Sequence, residues 1–552
     1  MTVTHETAPG PQVLVVGAGP VGLSAAHELA RHGVRVRLVD AAEGPATTSR
    51  ALATHARTLE TYDQMGVLGD LLPRGRRVEH FTLHQNGRRL IRFDTDYSRL
   101  PTRFPFTLMV DQAVTEEVLR TAAARHGVAP EWGVRLEHFE DRGADGVRAR
   151  LRHADGRTET VTAGWLVGCD GGHSTVRKQL GLKLTGESSE TWLIADAFVD
   201  CDLPQDSIHW MRTPTGTVMM VPFPEPGKWR LLDTAETSYG GDDAMVARRF
   251  AAKIRTGTGK PAEVAEPSWV SVFTIQQRMI GRMRQGRVLL AGDAAHVHSP
   301  ASGQGMNTGV QDAVNLAWKL AAVLRGEAAE PLLDTYSEER VPVGAELLRT
   351  TRMATMLVQL RSRRAAAALR TAFTVLRTLR PLKGRIQRKI MGGMSALGLS
   401  YAEGPLTYAA GPGAPRGALR PGERVSRVDG AGHAASEGWQ RLTDELGCPG
   451  WLLLTFGELP PDTVRELRDI AGRYGDGVRI RTVNGDQAGG AATLADPGNR
   501  LATALGVAPG GWLLVRPDGY LAARGDSPTG PAGALAALGL RPAARVAESA
   551  AR

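Results

Sequence analysis

The sequence predicts an α/β fold, and three observations carry that prediction. Residues 13–40 read as strand, glycine turn, helix, strand. Two blocks of short strands with period-two alternation, near 75–110 and 190–277, interrupt this pattern. Past a Gly- and Pro-rich stretch, residues 425–552 repeat a strand–helix order of their own. All three are satisfied by a Rossmann-like dinucleotide-binding domain (1–75, 111–185 and 281–404, the last part including basic helices). Into it is inserted a mainly antiparallel β-sheet substrate domain (76–110 and 186–280). A linker at 405–424 and a C-terminal thioredoxin-like domain at 425–552 complete the chain.

Each element has a local reason. Val13-Leu14-Val15-Val16 is a buried strand, Leu23 to His32 an Ala-rich helix, and a second strand ends at Asp40. Phe81-Thr82-Leu83-His84 and Leu90-Ile91-Arg92-Phe93 alternate as half-buried strands. A helix is expected over Val114 to His126, strands over 134–170, then the second alternating block with turns at Pro204, Pro214-Thr215-Gly216 and Pro222-Phe223-Pro224. Arg287 to Ala291 is a buried strand, followed by a long helix ending near Arg325. In the tail, Trp451 to Phe456 is a strand, Pro461 to Tyr474 a helix and Val478 to Val483 a strand. A second helix spans Gly498 to Leu505, and Arg516-Pro517-Asp518-Gly519 turns a hairpin. That order is thioredoxin-like. The tail holds the single Cys448 and lacks Cys-x-x-Cys, so it reads as redox-inert.

Composition narrows the function. With 42% hydrophobic and 23% charged residues, the chain is neither disordered nor collagen-like, and no run of 18 apolar residues marks a spanning helix. Met1 to Pro11 shows no secretory signal. Three dispersed cysteines make neither a disulfide framework nor a zinc site, so a cytoplasmic home and no metal are expected. The net charge of +9 raises nucleic acid or membrane as partners. Arg outnumbers Lys by 59 to 8, which reads as compositional bias. The local run at 347–402 has twelve basic residues and no acidic one, with Met353, Met356, Leu357, Leu360, Phe373 and Leu376 at helical spacing. It reads as an amphipathic helix pair with a solvated basic face; docking to an anionic lipid or polymer is the alternative. No aromatic set is interleaved, so neither nucleic acid nor membrane is expected. A homodimer is left open.

Three motifs carry the chemistry. Gly17-Ala18-Gly19-Pro20-Val21-Gly22 follows a strand and opens a helix, with Asp40 at the end of the next strand: a dinucleotide fingerprint. Gly17 permits the turn, Gly19 lets backbone approach a pyrophosphate, and Gly22 lets helix and strand pack. Asp40 is suited to the ribose hydroxyls. Cys169-Asp170-Gly171 with Ser174 and Arg177 fits C-D-G-x-x-S-x-x-R. Gly292-Asp293-Ala294-Ala295-His296, followed by Pro300, Gly303, Gly305, Met306 and Asn307, fits G-D-A-A-H…P…G-x-G-x-N. Asp293 can accept a ribityl hydroxyl or cap a helix. The amides at Gly305, Met306 and Asn307 open the long helix, whose positive end suits an anionic reduced ring.

With these motifs the sequence resembles FAD-dependent aromatic-ring hydroxylases of the para-hydroxybenzoate and phenol hydroxylase type. It looks most like the aromatic polyketide hydroxylases, whose thioredoxin-like tail also lacks redox cysteines and contains a phrase similar to Gly511-Trp512-Leu513-Leu514-Val515-Arg516-Pro517-Asp518-Gly519. The resemblance spans essentially all 552 residues. It implies FAD, with NAD(P)H and O2 as co-substrates. Without a Cys or His attachment motif, the FAD is expected to be non-covalent. It also carries Arg50, Gln112 and the backbone at Leu136 over to FAD contacts. No second G-x-G-x-x-G follows a strand. The resemblance implies that the flavin swings out to meet NAD(P)H and then forms a C4a-hydroperoxide that hydroxylates an electron-rich ring. Ser302 departs from the two glycines usual before the long helix.

The substrate is expected to be a polycyclic aromatic polyketide of an antibiotic pathway. Trp210, Met211, Met219 and Phe223, with Met220 and Val221, form an apolar cluster around Pro214 that suits a broad ring system or, equally, a sheet core. No carboxylate clamp is evident in that wall. No general base stands out, and His296 and His298 read as structural. Baeyer–Villiger oxidation or inactivation of an aromatic antibiotic is the alternative chemistry, and a flavin-binding structural or regulatory protein the alternative class.

Overall fold

The computed structural model describes residues 10–48, 51–299, 303–358, 380–409, 415, 417–485, 492–525 and 530–542. Arg50, Pro300, Ser302, Leu360, Phe373 and Leu376 lie outside them. Val13–Val16 sits inside a six-stranded sheet, and all four of its residues are buried, as befits a parallel strand covered on both faces. It runs parallel to Val36–Val39 on one side and to Trp165–Gly168 on the other, with Val288–Leu290 parallel beyond. Val16 stands opposite Gly168, and Gly168 opposite Leu290. Three strands therefore stop side by side, and the turns that leave them share one edge, where open α/β sheets bind their ligands. The first helix, Pro20–Arg31, begins earlier than Leu23. Pro20 fits the first turn because its missing N–H has no intrahelical partner there. This helix packs on the long helix Gly305–Leu324. The helix expected from Val114 is Gln112–Ala124.

The second sheet has nine strands, drawn from residues 80–94, 185–279 and 296–297. It is antiparallel except where Ser207–Thr213 runs parallel to His80–Gln85. Helix Asp243–Thr258 covers one face. Met211, Met220, Trp229 and Leu231 pack there with Val246, Phe250 and Ile254. Trp210, Met219 and Leu232 lie on the opposite face.

The sheet also buries a histidine pair, His84 Nε2 standing 3.1 Å from His209 Nδ1. Burial pushes both down to about 4, and does the same to His32 beside the first helix. Between the ordinary value of 6.5 and about 4, the unfolded chain binds protons that the native state refuses. Stability is thus full above about pH 6.5 and falls as the pH drops toward 4, by about 1.4 kcal/mol per pH unit for each such histidine. Urea midpoints should fall steeply between about pH 7 and 5; a flat profile would contradict this.

In the tail, Trp451–Phe456 pairs in parallel with Val478–Val483 and antiparallel with Trp512–Val515, with Leu521–Gly525 next in the sheet. Helices Pro461–Tyr474 and Pro531–Ala537 complete the thioredoxin-like order. Cys448 is exposed and free. The structure differs from the expected linker. Tyr408–Ala409 adds a strand beside Leu521–Gly525, Leu419 is buried, and buried Arg424 pairs with Glu60 at 2.8 Å. Gly and Pro mark irregular backbone here, not freedom from the core. In the basic stretch, helix Arg380–Ser395 is packed: Arg388 reaches Asp96 at 3.2 Å, and the Gly393 carbonyl accepts Gln304 Nε2 at 2.9 Å. Among the described residues, no helix is long and apolar enough to cross a membrane.

Candidate active site

The three strand ends build a cradle. A Cβ at Gly22 would overlap the carbonyl oxygen of Gly17, and one at Gly17 would stand 2.9 Å from the Asp170 amide nitrogen. The fingerprint turn, the first helix and the Asp170 turn are thus in backbone contact. Gly19 is different: beyond its chain neighbours, no atom of the described residues lies within 4 Å of where its Cβ would be. That open space faces the N-terminus of Pro20–Arg31. Asp40 Oδ2 accepts the Ala18 amide at 2.6 Å and Oδ1 the Ala42 amide at 2.8 Å. The carboxylate fixes the turn and keeps lone pairs for further donors.

Asp170 serves its own helix, accepting the Ser174 hydroxyl at 2.5 Å and the Thr175 amide at 2.6 Å. Gly171 faces the cavity. Arg177, given no role from sequence, donates to the carbonyls of Gly172 (2.8 Å) and Ala294 (3.1 Å). It ties the Asp170 turn to the Asp293 turn. Asp293 is exposed into the same cavity.

The start of Gly305–Leu324 closes the far end. Gly305 and Met306 line the cavity, while Asn307 is a clamp: its Oδ1 accepts the His55 amide at 2.8 Å and its Nδ2 donates to Ala53 (2.8 Å) and Gly303 (2.7 Å) carbonyls. Gln112 lines the cavity and accepts the Ala51 amide at 2.8 Å. Leu136 lies in the three-stranded sheet Arg135–Asp141, Val147–Arg152, Thr158–Ala163, its side chain buried in the core and away from the cavity wall.

The cavity measures about 400 Å³ and runs from Gly19 and Asp293 to Trp210 and Met219 on the large sheet. Ile194, Val221 and Leu232 complete an apolar wall, and Met394 of the basic helix closes it. Two expected wall residues are corrected. Met211 faces helix Asp243–Thr258, because side chains alternate along a strand and Trp210 takes the cavity side. Phe223 is buried behind the wall, where the Arg230 guanidinium stacks on its ring at 5.4 Å. The wall also contains a charge that sequence reasoning missed. Arg230 lines the cavity and is held by Asp196 in a two-pronged pair, 2.8 Å for each contact, both residues buried. Alternation in the sequence puts Arg230 opposite Trp229 and Leu231, but only the folded sheet shows that Arg230 has the cavity side.

Comparison with known proteins agrees with this geometry. The family model described as "FAD binding domain" matches residues 11–351. A 6-methylpretetramide 4-monooxygenase of Streptomyces rimosus is 55% identical over 519 residues, covering 94% of this chain and 91% of that protein. The chain belongs to the FAD-dependent aromatic polyketide hydroxylases. Solved structures of this hydroxylase family superpose over nearly the whole chain. An anhydrotetracycline hydroxylase from Streptomyces rimosus gives a TM-score of 0.72 at 30% identity, covering 96% of this chain and 98% of that one. Aklavinone-11 hydroxylase, solved with FAD and aklavinone, gives 0.72 at 26% identity, covering 97% and 99%.

The residues present fit FAD. The glycine cradle and Asp40 suit its dinucleotide end, Asp293 its ribityl chain, and the helix start at Gly305–Asn307 its ring. In this hydroxylase Asp293→Ala should weaken FAD binding by about 1–3 kcal/mol, the loss of a charge-assisted hydrogen bond. The side chain faces the cavity, so the fold should survive. Calorimetry with the apoprotein checks this, and unchanged affinity would remove Asp293 from the site.

Proposed function

We propose that this hydroxylase acts on a tetracyclic, phenol-bearing polyketide of pretetramide type, placing one oxygen atom from O2 on an aromatic ring at the expense of NAD(P)H. The observation that carries the reading is continuity: one cavity joins the dinucleotide cradle to the apolar wall of the large sheet. The 6-methylpretetramide relative supports the ring system. FAD supplies the oxygen-activating chemistry; the chain supplies binding, orientation and exclusion of water. The positive end of Gly305–Leu324 lines the cavity and would favour negative charge on a ring bound there. Trp210, Met219 and Val221 take the flat apolar rings. Arg230, fixed by Asp196, gives that wall one polar anchor for a substrate oxygen.

Incubation with 6-methylpretetramide, NADPH and air should yield a product heavier by one oxygen atom, read by mass spectrometry. Binding energy from the remote rings should also gate reduction. A three- or four-ring phenol is expected to speed anaerobic flavin reduction at least about tenfold, or ~1.4 kcal/mol, and simple phenol hardly at all. Equal stimulation by small phenols would overturn the polycyclic reading.

A further inference from the structure

His298 carries a feature that holding a flavin does not require. Its ring lines the cavity, and its Nε2 lies 2.7 Å from His296 Nδ1. His296 Nε2 in turn lies 2.5 Å from Asp312 Oδ2, and Asp312 Oδ1 accepts Arg340 Nε at 2.7 Å. Arg340 Nη1 donates to the Tyr401 hydroxyl at 2.9 Å. His296, Asp312, Arg340 and Tyr401 are all buried. The second nitrogen of His298, Nδ1, sits across the ring from Nε2, is buried, and has no partner among the described residues. A buried polar atom in that state forfeits about 1–3 kcal/mol, and because the His298 ring lines the cavity a bound ligand can supply the missing partner.

The tautomers follow from the far end of the chain. Burial alone would raise the Asp312 carboxyl, but the Arg340 guanidinium and the hydrogen bonds from His296 and Arg340 hold it below the ordinary carboxylate range. The ionised carboxylate accepts the Nε2–H of His296. Neutral His296 then presents a lone pair at Nδ1, which accepts the Nε2–H of His298. His298 Nδ1 is left with a lone pair, an acceptor on a ring that lines the cavity.

We propose that His298 accepts the proton of a phenolic hydroxyl of the bound polycycle, at the head of a His298–His296–Asp312 relay. This rests on the polycyclic-phenol reading above. The substrate O–H bond breaks and an N–H bond forms at His298 Nδ1. The Nε2–H bond of His298 breaks and an N–H bond forms at His296 Nδ1. The oxygen keeps the electron pair as a phenolate, which enriches the ring carbons ortho and para to it. The positive charge comes to rest on His296 beside the Asp312 carboxylate. Return along the same path restores the hydroxyl, and nothing is oxidised or reduced in either direction. Burial holds His298 well below the ordinary histidine range, so it is neutral before the transfer. Alone it would be a weak base; handing its other proton to His296 moves the charge to where Asp312 compensates it. Among the described residues, Arg340 lies behind Asp312, the Cys169 thiol and the Tyr336 hydroxyl feel the Asp312 charge, and Asp293 lines the same cavity as His298.

The test uses alizarin, a three-ring phenol whose visible spectrum shifts on ionisation, bound to the FAD-loaded enzyme and titrated with pH. In the wild type its first ionisation should fall at least about one pH unit below that of the free dye. His298→Gln keeps an amide for His296 but places nothing at Nδ1, and His296→Gln cuts the relay behind an intact His298. Each should lose at least about two-thirds of the shift while retaining FAD. A role in packing alone would leave the dye's ionisation unmoved. An equal shift in wild type and both variants, or no shift in the wild type, overturns the relay alone. Failure of the wild type to bind the dye overturns the polycyclic reading and the relay with it.

Discussion

Arg516→Ala is expected to destabilise the protein by about 3–5 kcal/mol, the range for breaking a buried ion pair by removing one partner. Arg516 reaches from the tail hairpin into the flavin domain. Its Nη1 and Nη2 donate to Glu339 at 2.6 and 2.9 Å, and Nε and Nη2 to Asp518 at 3.0 and 2.6 Å. Lys319 of the long helix donates to Glu339 at 2.8 Å, and Asp518 also accepts Trp318 Nε1 at 3.2 Å. Lys319 and Glu339 have no exposed side-chain surface. Burial pulls the Lys319 ammonium down to about 8 despite Glu339. Burial also opposes the charge of Glu339, yet Arg516 and Lys319 hold its carboxyl far below the usual range. Two cations and two anions balance. Deleting Arg516 leaves one buried negative charge uncompensated, and the Tyr401 ring loses the guanidinium stacked on it at 4.8 Å. Arg516→Lys keeps the charge without the fork and should lose less. Because Lys319 and Trp318 lie on the helix whose first turn lines the cavity, Arg516→Ala should also lower FAD retention. Urea unfolding and flavin content measure both effects. A loss below about 1 kcal/mol would show that the cluster does not hold the tail.

That cluster marks the limit of what the sequence disclosed. Arg516-Pro517-Asp518-Gly519 is legible as a hairpin turn because turn chemistry is local, and the structure places it between Trp512–Val515 and Leu521–Gly525. Its partner Glu339 is 177 residues away, and no spacing rule joins them. The flavin motifs are legible for the same reason as the turn. Gly17, Gly22 and Asp40 belong to one continuous strand–turn–helix–strand unit, and Asp293 follows a single strand end. The substrate wall is only half legible. Alternation says that Trp210 and Met211 face opposite ways, but which faces the cavity depends on the sheet's tertiary position. Arg230 is hidden by the same gap. His298 sits inside a flavin motif, and its connection to Asp312 appears only once the long helix is folded beside it.

Gly22→Ala is expected to weaken FAD binding at least about 100-fold, or ~2.7 kcal/mol, and to lower stability by about 1–3 kcal/mol. The new Cβ would overlap the Gly17 carbonyl oxygen, 2.9 Å from its carbonyl carbon and 3.2 Å from Cys169 Cβ. The obstacles are chiefly backbone, so no rotamer change relieves them. Nor can the turn retreat: Gly17 holds φ +105°, and even a Cβ there would meet Cys169 and Asp170. The helix must instead move off the sheet, taking with it the Gly19 turn and the Ala18 amide bonded to Asp40. Gly19→Ala is the discriminating partner. Among the described residues its Cβ meets no atom within 4 Å beyond its chain neighbours, so the apoprotein should unfold like the wild type. The methyl nevertheless occupies the space through which a pyrophosphate would approach the helix N-terminus, and FAD affinity should fall at least about tenfold. Thermal unfolding of both apoproteins and calorimetric titration with FAD separate the two effects. Full FAD affinity in Gly19→Ala would mean that the pyrophosphate does not cross this turn, and the cradle would have to be redrawn around Asp170 and Asp293.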